Sequence, residues 1–352
     1  MSTHDIFPIT LTTCDAATVQ FDARTDETIV QAALRAGWQL PTSCNAGGCG
    51  ACKAQVSHGD YRLASYSDSA LSPLAAQAGE VLLCRTYALG ELCFNAPFTR
   101  TRITPTQTAR QARVLNLQKL PGNVYQVQLQ LIADAHQGNA AEFEAGQYVE
   151  LSTPDGRITR AYSLANITNW DGVLEFLIRI QANGAFSHYL QQQAKIGDVM
   201  SVRGPLGDFV LHENGLNQRY FIGGGTGLAP LLSMLRRMAD WQDIQNAHLF
   251  LGVKNATDWF AESLLAPLSE QLLSLQITRC AEQTDGIWPH FVGTPVDALR
   301  EKLTQITHPN TIDLYICGPQ AMIEASRAVA LAAGIPENQI FAEIFVASLA
   351  EF

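Results

Sequence analysis

The chain has 352 residues, of which 47% are hydrophobic and 16% charged, so it can build buried cores in two or three domains. Its net charge of −10 argues against nucleic acid or an anionic membrane surface as a partner. No apolar run reaches the roughly 18 residues of a membrane span, and residues 1–5 lack the features of a signal peptide. We therefore expect a cytoplasmic protein, in which cysteines serve metal or redox chemistry.

The first segment, residues 1–98, holds six of the eight cysteines. Asp26 is a candidate N-cap for a helix that ends near Gly37. The next stretch, residues 99–111, is rich in Thr, Arg and Gln, contains Pro105 and has few apolar residues. Such a composition predicts a linker after the cysteine-rich segment.

Three cysteines crowd into one short run of the first segment. The run Cys44-Asn-Ala-Gly-Gly-Cys49-Gly-Ala-Cys52 has the spacing C-x4-C-x2-C, and Cys84 follows it. This is the plant-type spacing for a [2Fe–2S] cluster, and the intervening glycines allow a tight loop around the sulfurs. A four-cysteine zinc site is the alternative, but zinc motifs pair two short knuckles. The spacing therefore favours an iron–sulfur cluster.

Residues 112–213 show the patterns of β-structure. Val127, Leu129 and Leu131 alternate with glutamines, which is the period of a half-buried strand. Short strands with turn signals between them predict a small antiparallel barrel. They are expected at Gln147–Leu151, Leu174–Ile180 and Val199–Arg203.

From about residue 214 to residue 352, apolar strands alternate with helical patterns. This alternation predicts a doubly wound α/β domain. The expected strands are Tyr220–Ile222, His248–Leu251 and Leu314–Ile316, and the expected helices are Leu228–Met238 and Ala321–Ala332.

A glycine-rich turn follows the first of these strands and precedes a helix. Its residues are Gly223, Gly224, Gly225, Thr226 and Gly227. Glycines let the backbone approach a pyrophosphate, and a helix N-terminus supplies positive potential. Because the spacing is not a strict G-x-G-x-x-G, the turn predicts a nucleotide site without being a Rossmann fingerprint.

Two short motifs lie in the β-rich segment. Arg160-Ala-Tyr162-Ser163 follows a strand, and Gly184-Ala-Phe-Ser187 opens a helical stretch. A guanidinium can pair with phosphate, an aromatic face can cover a flavin, and a hydroxyl can act at its reactive nitrogen. Together, and in this order, they resemble the ferredoxin–NADP reductase superfamily. The resemblance implies that Arg160 pairs with the FAD pyrophosphate, that Tyr162 lies against the isoalloxazine ring and that Ser163 points at its reactive nitrogen. Ser187 and the helix N-terminus are expected to hold the pyrophosphate.

The resemblance extends to the C-terminal part of the chain. The turn Cys317-Gly318-Pro319 matches a turn that the family places beside the nicotinamide. Glu343 and Phe345 match the family's tail, where a carboxylate and an aromatic ring approach the flavin. The candidate catalytic residues are Tyr162, Ser163, Cys317 and Glu343.

The order of the three segments resembles the reductase component of bacterial multicomponent oxygenases. Similar families are the benzoate-type dioxygenase reductases and the phenol or toluene monooxygenase reductases. The resemblance implies a β-grasp ferredoxin domain at 1–98, a linker at 99–111, an antiparallel flavin barrel at 112–213 and an α/β nucleotide domain at 214–352. Electrons would then pass from NADH to FAD, to the [2Fe–2S] cluster and to a terminal oxygenase, which is expected to act on an aromatic compound.

The coenzyme preference is predicted from residues after the second strand of the nucleotide domain. Only Lys254 is basic there, and Asp258 lies close by, which favours NADH over NADPH. A stand-alone NADH:acceptor or flavin reductase is an alternative function. A redox sensor is disfavoured, because a sensor need not bind NADH.

Overall fold

The computed structural model describes residues 5–42, 45, 47–133 and 138–345. The chain divides into two compact units, which separate between Thr108 and Ala109. The second unit contains both a barrel and a parallel sheet. The predicted multidomain α+β and α/β class is therefore confirmed.

The first unit is a mixed sheet that covers one helix, which is the β-grasp arrangement. Its elements are β1 (Ile6–Thr12), β2 (Thr18–Arg24), α1 (Ile29–Arg35), β3 (Trp38–Gln39), β4 (Lys53–His58), β5 (Tyr61–Leu63), α2 (Pro73–Gln77), β6 (Glu80–Leu82), β7 (Thr86–Ala88), β8 (Leu92–Asn95) and β9 (Thr104–Pro105). The main sheet has the order β2-β1-β8-β4-β6, and β5 pairs with β7 in a separate small sheet. Alternate residues of β1 and β2 point inward, and Ile9 and Leu11 pack with Ile29 of α1 in one core.

The N-cap of helix α1 lies two residues later than the predicted N-cap Asp26. Its N-cap is Thr28, whose hydroxyl accepts from the Gln31 amide at 3.3 Å. The Gln31 side chain in turn accepts from the Thr28 amide at 2.8 Å. This reciprocal capping box satisfies two otherwise free donors, which explains why Thr28 takes the position.

The segment predicted as a linker, 99–111, is structured over most of its length. Arg100–Arg102 forms a 3-10 turn, and β9 pairs with β3. Ile103 is 2% exposed in the core of the first unit. The polar composition of the segment predicted a linker because it gave no sign that Ile103 is part of a core. The chain passes into the second unit between β9 and the strand that starts at Arg110.

The barrel forms the first part of the second unit. Its elements are β10 (Arg110–Leu120), β11 (Val124–Leu131), β12 (Tyr148–Ser152), β13 (Thr159–Ser163), β14 (Val173–Arg179), α3 (Ala185–Gln192) and β15 (Val199–Leu206). All pairs in the order β13-β12-β15-β10-β11-β14 are antiparallel. A bridge between Leu164 and Phe176 links the two end strands. The predicted alternation in β11 is confirmed, since Val127, Leu129 and Leu131 are all buried.

The parallel sheet forms the second part of this unit. Its elements are β16 (Gln218–Gly224), α4 (Leu228–Asp240), β17 (Ala247–Asn255), α5 (Glu262–Gln271), β18 (Leu275–Gln283), β19 (Phe291–Val292), α6 (Pro295–Leu303), β20 (Ile312–Gly318), α7 (Gln320–Ala333) and β21 (Ile340–Ile344). The order is β19-β18-β17-β16-β20-β21. The chain reverses its winding direction between β16 and β20, and ligands of such sheets bind where those strands end. Within the described ranges, no helix is long and apolar enough to span a membrane.

Candidate cofactor sites

The glycine-rich turn lies at the switch point of the parallel sheet. Gly225–Gly227 forms a 3-10 turn between β16 and α4. A Cβ on Gly227 would lie 2.2 Å from the Cys317 carbonyl oxygen, so only glycine allows the two turns to approach this closely. The N-cap of α4 is Gly227, which has no side chain to bind the first amides of the helix. The turn can therefore offer its amides and the positive end of the helix to a pyrophosphate.

An arginine from the barrel lies beside this turn. The Nη1 atom of Arg179 is 3.3 Å from the position that a Cβ on Gly225 would take. Both residues line one small cavity with Lys254 and Asp258. The sequence patterns did not single out Arg179, although it lies in the predicted strand Leu174–Ile180, shortly before the Gly184 motif. Only the packing of the barrel against the nucleotide domain brings it to the turn.

The residues that predict the coenzyme preference lie in the same cavity. Asp258 is held in place because the Asn255 side-chain amide donates to its Oδ2 atom at 2.8 Å. A carboxylate therefore stands at a fixed position next to Lys254.

A buried pair joins the barrel to the nucleotide domain. Ser163, at the end of β13, donates from Oγ to Oε2 of Glu343 on β21 over 3.1 Å. Burial raises the pKa of Glu343 to about 8, while the Ser163 hydrogen bond opposes the shift. The carboxyl is therefore largely protonated at neutral pH and can hold or pass a proton.

Cys317 lies next to this pair, because β20 and β21 place it directly opposite Glu343. The thiol is fully buried, and burial raises its pKa well above the usual value. A thiol that stays protonated is a poor nucleophile. Phe345 is attached to the same turn, since its amide donates to the Gly318 carbonyl at 2.9 Å. Pro319 follows and precedes α7.

The predicted flavin residues on β13 lie on both faces of the strand. Arg160 and Tyr162 share one face, and Ser163 belongs to the other. The Tyr162 ring contacts Phe186 of α3, with centroids 5.0 Å apart. Burial raises the pKa of Tyr162, so its phenol remains neutral. Arg160 is half-buried, and its guanidinium donates to the Thr159 carbonyl at 2.8 Å.

Ser187 faces inward on α3. Its Oγ atom accepts from the Gln181 amide at 2.9 Å, and the residue is 4% exposed. It therefore fixes the turn before α3. The N-cap of this helix is Gly184, which has no side chain to bind the amides of the first turn, so those amides can bind a phosphate. A direct contact of Ser187 with FAD stays a prediction.

The cysteine loop is described in part. Cys52 and Cys84 are buried, and their mutual hydrogen bond, together with burial, raises the pKa of Cys52. Cys49 is half-buried. Cys44 lies outside the described residues. Among the described residues, no group of three His, Cys, Asp or Glu side chains could hold a metal ion. Gly47 has φ +74°, a conformation that other residues rarely adopt, as the tight loop requires.

Three family models match successive parts of the chain. The 2Fe-2S iron-sulfur cluster binding domain matches residues 12–89. The oxidoreductase FAD-binding domain matches residues 111–211, and the oxidoreductase NAD-binding domain matches residues 221–328. These matches overturn the zinc alternative for the cysteine-rich segment.

Individual relatives match three quarters or more of the chain. The toluate 1,2-dioxygenase electron transfer component of Pseudomonas putida is 33% identical, covering 95% of this chain and 97% of that one. Methane monooxygenase component C of Methylosinus trichosporium is 37% identical, covering 75% and 78%. The crystal structure of an Amycolatopsis cytochrome P450 reductase matches with a TM-score of 0.78 and 29% identity, over 97% of this chain and 100% of that one. The chain belongs to the reductase components of multicomponent oxygenases.

The reductase is thus an oxidoreductase with domains for a [2Fe–2S] cluster, FAD and NAD. Its own residues fit these groups. Buried thiols in a glycine loop suit iron, which thiolates ligate. The uncapped starts of α3 and α4 suit the two pyrophosphates.

Proposed function

We propose that this reductase oxidises NADH and delivers electrons singly to the terminal oxygenase of a multicomponent system. One observation carries the proposal. Ser163 of the barrel and Glu343 of the nucleotide domain form a buried pair beside the Cys317 turn. Residues expected on the flavin side and on the nicotinamide side thus lie next to each other.

Each group of residues has a separate role in this proposal. Arg160 and the open start of α3 hold the FAD pyrophosphate, and Tyr162 flanks the ring. Ser163 and Glu343 hold a proton beside the flavin. When bound, FAD accepts a hydride and the cluster accepts single electrons. The predicted cluster ligands are Cys44, Cys49, Cys52 and Cys84.

The nucleotide turn holds NADH with help from the barrel. The amides of Gly225–Gly227 and the Arg179 guanidinium bind the pyrophosphate. Asp258, held by Asn255, accepts from the ribose hydroxyls and repels a 2′-phosphate. This arrangement favours NADH over NADPH.

The organic substrate never meets the reductase, so the partner must be found by assay. The relatives' names include aromatic substrates, such as toluate and anthranilate, and the alkanes methane and propane. We favour an aromatic-compound oxygenase, working in the cytoplasm, where reduced thiols remain available to ligate iron.

The test is NADH-driven oxygen uptake with a panel of purified oxygenases of both kinds. We expect one or more to give uptake that depends on this reductase and on its own organic substrate. A stand-alone reductase would support no oxygenase in the panel, although it would reduce ferricyanide or free flavin.

A further inference from the structure

The strand β7 begins two residues after the predicted cluster ligand Cys84, and its side chains alternate between two faces. Thr86 and Ala88 are both 0% exposed on the inward face. Tyr87 is the outward side chain of the strand, and the residues that flank the strand are the half-buried Arg85 and Leu89, which is 53% exposed. Together with Arg62, which lies opposite Tyr87 on β5, these three residues form what we call the β7 outer face.

Both arginines of this face are held in fixed positions. The Arg62 guanidinium lies 3.9 Å from the centroid of the Tyr87 ring. The Arg85 Nε atom donates to the Ser65 carbonyl at 2.9 Å, and its stem lies against Gly47 of the cysteine loop. Side chains that are already ordered lose less entropy when they bind a partner.

The two arginines are also the basic residues of their segment that lack an acidic partner. Residues 1–98 contain nine acidic and five basic residues. Arg24, Arg35 and Lys53 each form an ion pair with a carboxylate. Across the described part of the chain, no carboxylate forms an ion pair with Arg62 or Arg85, although Asp60 lies two residues before Arg62. In the described part of this acidic domain, the arginines without an ion pair are thus Arg62 and Arg85, and Arg85 is the residue after Cys84.

We propose that the β7 outer face docks an acidic surface of the protein that takes electrons from the cluster. The inference rests on the proposed function, because it assumes that electrons leave through the cluster. Arginine and tyrosine are the residue types that most often carry binding energy at protein interfaces. Leu89 adds apolar area at the edge of the same face. Positive charge near the cluster steers an acidic partner toward the part of the reductase from which the electron leaves.

The local charge can be tested with two small one-electron acceptors of opposite charge. Flavin-free full-length protein, whose cluster has been reduced with dithionite, is mixed anaerobically with ferricyanide, a trianion, or with hexaamminecobalt(III), a trication, so that electrons can leave only from the cluster, and its reoxidation is followed by absorbance. Arg62→Glu should lower the ferricyanide-to-cobalt rate ratio on the order of tenfold at low ionic strength, and salt should remove the difference.

Arg157→Glu is the matched control, because it makes the same charge change on an 85% exposed barrel arginine. Its ratio should stay at the wild-type value. An unchanged ratio in Arg62→Glu, or an equal change in Arg157→Glu, would overturn the proposal. If NADH does not reduce the cluster of the FAD-loaded wild type at all, the proposed function itself fails, which is a separate outcome.

Docking is tested with the oxygenase that gives the highest uptake in the panel. Leu89→Asp and Arg62→Glu should each raise the KM for this oxygenase about tenfold, with kcat and flavin reduction by NADH unchanged. Leu74→Asp is the control, since Leu74 is 79% exposed on α2 of the same domain. A KM unchanged in both test variants, or raised equally by Leu74→Asp, would overturn the proposal.

Discussion

Replacing Glu343 with glutamine should reduce the stability that the folded reductase loses as the pH rises. Glu343 is buried against Ser163, and burial raises its carboxyl pKa from the ordinary 4.5 to about 8. Glutamine keeps the size of the side chain and an oxygen that accepts from Ser163, but it has no proton to lose. The variant therefore isolates the free energy needed to ionise this one buried group.

The sign and the magnitude follow from the pKa shift. Between pH 4.5 and pH 8 the folded chain keeps a proton that the unfolded chain releases, so the wild type's free energy of unfolding falls as the pH rises. At about 1.4 kcal/mol per pKa unit, the full shift corresponds to about 5 kcal/mol. From pH 5 to pH 8 the wild type should lose roughly 3.5 kcal/mol of stability relative to Glu343→Gln.

The assay is urea unfolding of the FAD-loaded protein at several pH values, followed by the fluorescence of released flavin. Glu324→Gln, which removes an exposed carboxylate on α7, is the control and should follow the wild-type profile. Ser163→Ala removes a hydrogen bond that lowers the Glu343 pKa, so its loss of stability should extend to higher pH. Parallel profiles for the wild type and Glu343→Gln would refute the reasoning.

The other predictions concern the three cofactors. Cys84→Ala should abolish the cluster absorbance and the acid-labile sulfide while FAD remains bound, and an unchanged spectrum would remove Cys84 from the ligand set. Released flavin should run as FAD on chromatography, and FMN would contradict the prediction that the barrel binds FAD. Asp258→Arg should lower the ratio of kcat/KM for NADH to kcat/KM for NADPH by tenfold or more. Comparable wild-type kcat/KM values for the two coenzymes would show that this cavity does not discriminate between them. Arg179→Ala should raise the KM for NADH several-fold without loss of FAD, and an unchanged KM would exclude a contact with the pyrophosphate.

Features set by local spacing could be predicted from the sequence. The cysteine run is matched by a 2Fe-2S domain model, and the alternation of Val127, Leu129 and Leu131 predicts a strand that the structure contains. The glycine turn between β16 and α4 is also where the pattern predicts it. In each case the chemistry depends on residues close together in the chain.

Features set by tertiary packing could not be predicted in this way. Ser163 and Glu343 are 180 residues apart, and no periodicity connects them; the resemblance to a family suggested both. Arg179 reaches the nucleotide turn only because the barrel packs on the parallel sheet. Ser187 has the residue type of a phosphate ligand, but the packing of α3 turns it toward the Gln181 amide.

The central claim is that electrons leave the reductase through its cluster. A fragment that starts at Ala109 keeps the second compact unit and leaves out the cysteine loop, and this boundary avoids cutting the pairing of β9 with β3. The decisive measurement is oxygenase turnover by this fragment relative to the full-length protein. The fragment should bind FAD and reduce ferricyanide with NADH at near the full-length rate, yet give no oxygenase turnover. Full turnover by the fragment would contradict the account.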